Sequence, residues 1–371
     1  MQKRSILFLL VLLLTGAFAF AQTGQTGTIV GKVVTPDGLT LPGVAVTLKS
    51  PAIVMSQLTA VTNENGIFRF PNLAPGMYTV TLELDGFAVS TRTNLQLFAN
   101  QVMSLDFSMQ MKAMEESIIV SGKAPTVDKQ STAKATNMDK EYLKSLPSTR
   151  TLATYFNMVP GSTGDTSHGG SQMDNSYNLD GVNMGDPATG LQGASFGTDI
   201  MEEISVQSGG LSAEYGSVRG AMVNVITKSG GNSYSGTASF YYNHEKLKAD
   251  NTKGTVLEGK KSGNKYGYEP VITLGGPIVK DRLWFFLNAS VNKTAAFVAG
   301  YPYDKEGGME VPITQYYPYL KLTYQPNQKN KFIFSYSYNN IKNDHRGASV
   351  YALESTTYKQ TSPTHIVNAH W

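Results

Sequence analysis

Lys331-Phe332-Ile333-Phe334-Ser335-Tyr336-Ser337-Tyr338-Asn339-Asn340 puts Phe332, Phe334, Tyr336 and Tyr338 in alternation with Ile333, Ser335, Ser337 and Asn339. Side chains of a strand point to opposite faces with a period of two, so this stretch reads as a strand with one aromatic face. The pattern recurs on both sides of it. Tyr234, Ala238, Phe240 and Tyr242 alternate with Ser235, Thr237 and Ser239; Leu283, Phe285, Leu287, Ala289 and Val291 share a face, as do Leu320, Leu322 and Tyr324. Strands are predicted at 233–243, 266–276, 283–292, 316–325, 331–340 and 364–371. Segments of this length with one apolar face are the signature of a transmembrane β-barrel. Residues 231–371 also hold 15 of the 20 tyrosines and both tryptophans, the enrichment expected of aromatic girdles at a membrane surface.

Composition supports an exported, β-rich chain. Of 371 residues only 16 % are charged, against about 25 % in a typical soluble protein. There is no cysteine, which excludes disulfides, thiolate metal sites and Fe–S clusters. The net charge of +3, without a Lys/Arg cluster, argues against a nucleic-acid partner. Lys3 and Arg4 precede the apolar run Ile6 to Leu14, which is too short to span a bilayer. Ala19-Phe20-Ala21 follows, so residues 1–21 read as a signal peptide cut after Ala21.

Between leader and barrel lie two regions of different character. In 22–111, strands such as Thr28–Val34, Val44–Leu48 and Met77–Leu84 are separated by Thr35-Pro36-Asp37-Gly38, Asn63-Glu64-Asn65-Gly66 and Asp85-Gly86. About seven short strands with regular turn signals predict an antiparallel sandwich, with Phe68, Phe70 and Tyr78 in its core. Residues 112–230 are mixed. Asp139 is placed to cap a helix carrying Tyr142, Leu143 and Leu146, and Ser148 to cap a second one over Thr151–Met158. Asp180-Gly181 between short apolar runs predicts a tight hairpin, and Ile200–Gln207 and Met222–Thr227 read as strands.

The wording of these regions is familiar. Gly31-Lys32-Val33-Val34, Leu41-Pro42-Gly43-Val44-Ala45-Val46 and Leu73-Ala74-Pro75-Gly76-Met77-Tyr78 resemble the carboxypeptidase regulatory-like domain, an immunoglobulin/prealbumin-like sandwich without catalytic residues. Tyr177-Asn178-Leu179-Asp180-Gly181-Val182, Glu203-Ile204-Ser205-Val206-Gln207, Leu211-Ser212-Ala213-Glu214-Tyr215-Gly216 and Val223-Asn224-Val225-Ile226-Thr227 resemble the plug of TonB-dependent outer-membrane receptors. With Leu274-Gly275-Gly276-Pro277-Ile278 and Asp281-Arg282-Leu283-Trp284-Phe285-Phe286, the resemblance extends to the Oar-like branch. The expected fold is therefore mainly β: a sandwich (22–111), an α+β plug (112–230) and the first strands of a transmembrane barrel (231–371). The family's barrel has roughly 22 strands, more than 141 residues can supply, so the chain is expected to be an N-terminal portion of a longer protein.

The resemblance implies uptake of a scarce or bulky solute, gated by the plug and energised from the inner membrane by a TonB-type protein. TonB would add a short segment as a strand to its own sheet. Glu116, Ser117, Ile118, Ile119 and Val120 fit that role, and equally that of the plug's first strand. Asp180, Gly181, Glu214, Tyr215, Gly216 and Asn224 carry the plug motif. His168, Asp186 and Gln192, on the glycine-rich loops 161–176 and 184–198, are candidate contacts for an extracellular substrate of unknown type. Outer-membrane lipid is the other expected partner, with the sandwich in the periplasm. The alternative is an outer-membrane adhesion or binding protein that uses the sandwich to hold carbohydrate or a protein.

Enzyme signatures do not hold up. Gly193-Ala194-Ser195-Phe196-Gly197 matches a nucleophile elbow, but that motif needs a strand before it and a helix after it, and Thr189-Gly190-Leu191-Gln192 reads as loop. The histidines at 168, 244, 345, 365 and 370 lack zinc-protease spacing, and Asp180, Asp186 and Asp199 lack calcium-loop spacing. No phosphate loop occurs, and no cofactor is expected.

Overall fold

The structure is a computed structural model; it describes residues 26–50, 57–112, 118–121, 134–146, 150–164, 166–186, 188–211, 218–249, 252–302, 308–327 and 330–371. The expected signal peptide, Glu116, Ser117, Glu214, Tyr215 and Gly216 lie outside the described residues.

The first unit contains β1 (Gly27–Val34), β2 (Ala45–Lys49), β3 (Leu58–Val61), β4 (Ile67–Leu73), β5 (Gly76–Glu83), β6 (Ser90–Leu97) and β7 (Val102–Ser108). They form two sheets, in the orders β4-β1-β7 and β3-β2-β5-β6. Alternate residues of both sheets meet in one apolar core that includes Ile29, Val46, Leu48, Phe68, Phe70, Tyr78, Leu82, Leu95 and Phe107. Burial pushes the Tyr78 phenol well above its usual pKa, and its hydroxyl donates to the Ala74 carbonyl at the sandwich edge. A fifth strand, β8 (Ile118–Ser121), joins the second sheet beside β6 in parallel. The plug's sheet begins elsewhere.

That sheet has the order β13-β12-β15-β14-β9. Its members are β9 (Lys134–Asp139), β12 (Ser176–Leu179), β13 (Val182–Asn183), β14 (Met201–Gly209) and β15 (Met222–Thr227); the small hairpin β10 (Ser162–Thr163) and β11 (Thr166–Ser167) stands apart. Sequence reading missed β9 because Lys134-Ala135-Thr136-Asn137-Met138-Asp139 is polar; only Met138 among its residues is buried. Two short helices follow β9, α1 (Lys140–Ser145) and α2 (Leu152–Phe156). Asp139 caps α1 as expected, its side chain accepting from the Tyr142 N–H. The cap of α2 is Thr151 and not Ser148: the Thr151 side chain accepts from the Thr154 N–H, and the helix is one turn shorter than its apolar pattern suggested.

The third unit is an antiparallel meander of β16 (Ser235–His244), β17 (Gly263–Val279), β18 (Leu283–Phe297), β19 (Glu310–Tyr316), β20 (Tyr319–Asn327), β21 (Asn330–Arg346) and β22 (Tyr358–His370). β19 and β20 are two halves of one long strand, both paired with β18 and both with β21. They are interrupted at Tyr317-Pro318, where proline lacks the N–H needed for the ladder. Burial here is inverted relative to a soluble sheet. Phe240, Ile272, Leu274, Leu287, Tyr324, Phe332, Phe334 and Val367 are exposed, while Glu269, Thr273, Asn288, Ser290, Lys321, Thr323, Ser335, Ser337, Asn339 and Asn368 are buried. An apolar outer face and a polar inner face are what a bilayer and a filled lumen require. Among the described residues no helix is long and apolar enough to cross a membrane, a test that does not bear on strands.

Candidate functional site

The plug packs against the buried face of the barrel strands. Its core of Tyr155, Phe156, Tyr177, Leu179, Ile204, Val206, Val223 and Val225 is continuous with Phe286 and Tyr319 of the barrel. Contact is close enough that a Cβ on Gly197 would lie 2.8 Å from the Ser290 hydroxyl of β18.

The centre of this seam is the β12–β13 turn. Asp180 and Gly181 have φ of 47° and 80°, the two left-handed positions of a type I′ turn, which Asp-Gly tolerates. The turn aims the Asp180 carboxylate at the barrel wall. Oδ1 accepts the Thr227 N–H at 2.9 Å, and Oδ2 accepts the Thr227 hydroxyl, the Tyr319 hydroxyl at 3.2 Å and the Lys321 ammonium at 3.2 Å. Lys321 donates its other protons to the Thr227 hydroxyl (2.9 Å) and carbonyl (3.2 Å), so all three donors of the ammonium are used. The Asp180 carbonyl accepts from Asn368 Nδ2 at 3.0 Å and His370 Nε2 at 2.9 Å. Asp180 is 2 % exposed and Lys321 4 %. Burial alone would raise the Asp180 pKa; the Lys321 charge and the Thr227 hydrogen bonds outweigh it and hold the carboxyl below its usual value.

A second tie joins α2's approach to the barrel. The Arg150 guanidinium pairs with Asp199, lies 3.5 Å from the Glu269 carboxylate and stacks 3.6 Å from the Tyr241 ring centroid. Arg150 sits at φ 55°, a strained backbone for a long side chain. A third tie lies where plug passes into barrel: Asn232 Oδ1 accepts from Trp284 Nε1 (2.7 Å) and the Asp281 N–H (2.9 Å).

The plug also touches the sandwich. Glu203 of β14, 1 % exposed, receives the Ala99 N–H on both carboxylate oxygens, at 3.2 and 3.3 Å. Burial pushes its pKa up to about 8; the Ala99 bond opposes this and the nearby Glu202 and Asp139 charges add to it.

The other residues singled out from sequence are distributed as follows. Asn224 is buried at the middle of β15, between Asn178 and Ser205. Asp186 closes a turn by accepting the Ala188 N–H, and Gln192 donates to the Ala194 carbonyl within the same loop. His168 is exposed on the separate β10–β11 hairpin. Ile118, Ile119 and Val120 lie in β8. No group of three or more His, Cys, Asp or Glu suited to a metal occurs among the described residues. Sequence reading missed Lys321, Tyr319, Asn232 and Arg150. A signal for Lys321 existed: with Leu320, Leu322 and Tyr324 on one apolar face, the lysine between them must lie on the opposite, inner face, where a charge needs a partner.

Residues 28–110 match the carboxypeptidase regulatory-like domain, and residues 226–297 the outer membrane beta barrel domain. The TonB-dependent transporter Oar of Myxococcus xanthus is 31 % identical over 292 residues, covering 74 % of this chain; the chain spans 27 % of that relative's length. Similar solved structures include the siderophore receptor PirA of Acinetobacter baumannii (TM-score 0.49, 20 % identity, 64 % of this chain and 37 % of that one) and a mutant of the ferric enterobactin receptor PfeA of Pseudomonas aeruginosa (0.48, 15 %, 65 % and 38 %). With a regulatory-like sandwich, a plug sheet and inverted barrel strands in that order, the chain belongs to the TonB-dependent transporter family, in its Oar-like branch.

Proposed function

We propose that the protein is a plug-gated outer-membrane uptake transporter for a solute too large or too scarce for porins, energised through a TonB-type protein. The observation that carries this reading is the Asp180 turn: a plug hairpin bonded to Lys321 and Tyr319 of the barrel wall. A lumen obstructed in this way passes nothing until the plug is moved, and polar bonds to the wall can be exchanged for water bonds at modest net cost. The signal peptide (1–21) would direct export, with sandwich, plug and barrel bounded at 22–111, 112–230 and 231–371.

Orientation follows from connection lengths. β17 to β18 and β20 to β21 are joined by three and two residues, whereas β16–β17, β18–β19 and β21–β22 are joined by long loops. Bacterial barrels keep short turns on the periplasmic side. Asn232, beside the short Asp281 turn, marks where the plug enters the barrel, which supports a periplasmic sandwich held by Glu203. Ile118 to Val120 serve as the energy-coupling strand, and the loops carrying His168, Asp186 and Gln192 as cargo contacts. Outer-membrane lipid covers the exposed aromatic face.

The test is permeability. Removing residues 134–227 from the transporter in living cells should admit a glycopeptide antibiotic excluded by porins and make the cells sensitive to it. Unchanged resistance, with the variant present in the outer membrane, rejects the gate.

A further inference from the structure

The placement of β8 bears on how coupling is regulated. After β7 the chain is led back across the second sandwich sheet: the Ala88 N–H donates to the Gln110 carbonyl, the Lys112 N–H to the Gly86 carbonyl, and Phe87 bridges Met111. It then adds Ile118–Ser121 in parallel to the open side of β6, with Ile118 opposite Ser90, Ile119 opposite Thr91, Val120 opposite Arg92 and Ser121 opposite Thr93. That edge of β6 is free of proline, and its one charged residue, Arg92, lies over the Phe107 ring 4.4 Å from its centroid, which leaves the edge open to strand addition. The edge strand β4, by contrast, carries Pro71.

We propose that the sandwich sheathes the coupling strand: β6 and a TonB-type protein are alternative partners for the backbone of Ile118–Ser121, and the transporter is coupled only when β6 releases it. The inference rests on the reading of this segment as the energy-coupling strand. One strand edge has one set of N–H and C=O groups to offer on a given side, so pairing with the sandwich competes with β-augmentation by a partner. The pairing is suited to exchange, being four residues long and parallel, the less stable geometry per residue. The same β6 ends in the loop whose Ala99 is held by Glu203 of the plug. The sheath is therefore anchored to the gate that the coupling strand would pull.

The chain has no cysteine, so a paired-cysteine variant reports cleanly. Thr91→Cys with Ile119→Cys joins positions that are register partners, within the Cα spacing a disulfide needs. The experiment uses the transporter in isolated outer membranes, and the probe is the purified periplasmic domain of a TonB-type protein. The expected result is a disulfide that forms on mild oxidation, abolishes capture of the probe and restores it on reduction. Failure of the disulfide to form, or formation with capture unchanged, overturns the sheath. Ile119→Pro, which removes a backbone donor without a cross-link, separates the two claims. Capture should be lost in that variant; normal capture overturns the coupling assignment itself, and the sheath inference with it.

Discussion

The sandwich and the plug–barrel seam are both closed to water, and they are closed by opposite means. In the sandwich, Ile29, Val33, Val44, Val46, Leu48, Val80, Leu82, Leu95 and Leu97 are fully buried against one another. Such a core is held by area and volume, and each side chain has many substitutable neighbours. At the seam, Asp180, Thr227, Tyr319, Lys321 and Asn368 are equally buried and are held by directed bonds. A dry core resists being opened anywhere. A paired polar seam is specific in register, and it fails sharply when one partner is lost while water can replace the bonds when it opens. The second arrangement suits the gate proposed above, and the first suits a unit that stays closed.

The sharpest way to break the comparison is Asp180→Ala. It leaves the Lys321 ammonium buried without its carboxylate, a loss of about 3–5 kcal/mol by the general behaviour of buried pairs. The plug should become protease-sensitive in intact outer membranes. Asp180→Asn combined with Lys321→Met should recover much of that loss, because no charge is stranded, asparagine tolerates the left-handed φ of 47° and its amide oxygen still accepts the Thr227 N–H. If the double variant is as sensitive as the single one, the pair is not what holds the turn.

Leu82→Ala is the corresponding cut in the sandwich. Deleting a fully buried leucine costs about 2–5 kcal/mol, without selectivity for the plug–barrel seam. It should lower the denaturant midpoint of residues 22–111, expressed alone as a cooperative all-β unit, and leave plug proteolysis unchanged. Loss of plug protection in this variant would show that the two regions are not independent.

Glu203 links the regions and sharpens the comparison through pH. Its carboxyl titrates near 8 when docked against an ordinary value of 4.5. Where the folded pKa of an acid is raised, the folded state binds the extra proton between the two values. Stability is then full below about 4.5, falls as pH rises through the window, and levels off above about 8. The sandwich should undock more readily at pH 8.5 than at pH 5.5, followed by hydrogen exchange at the Ala99 amide. Glu203→Gln should flatten that dependence and strengthen docking at the higher pH by about 1–3 kcal/mol. A profile that keeps its slope in the variant assigns the titration to another group.

The smallest effect belongs to Lys140→Gln. It removes the half-exposed ion pair with Glu202, worth less than about 1 kcal/mol. Thermal melting should barely change; a large shift would mean that a half-exposed charge pair within the plug matters as much as the buried pair at the seam.

Much of this was legible residue by residue. The sandwich strands follow from apolar alternation broken by turn residues, and Asp-Gly at 180–181 announces its own hairpin because few other pairs accept two left-handed positions. The exposed apolar stripe of Phe332 and Phe334 was equally plain. Less legible was β9, whose polar residues carry no alternation and whose existence depends on β14 offering an edge. The two readings left open for Glu116–Val120 share that origin. A short β-prone run declares that it will pair, but the partner is decided by whichever edge lies beside it, here β6.

By itself the sequence determined the periodicities: which faces are apolar, where turns must fall, and that residues 231–371 show their hydrophobic side outward. These are local properties, set by side-chain type and by the two-residue repeat of a strand. Only the tertiary structure decided that the carboxylate of Asp180 meets Lys321, 141 positions later in the chain, and that Arg150 reaches Glu269 and Glu203 reaches Ala99. Such pairings depend on how sheets stack and which strand edge is free, and a buried charge is indifferent to how far away in sequence its partner lies, provided the fold brings that partner within hydrogen-bond distance.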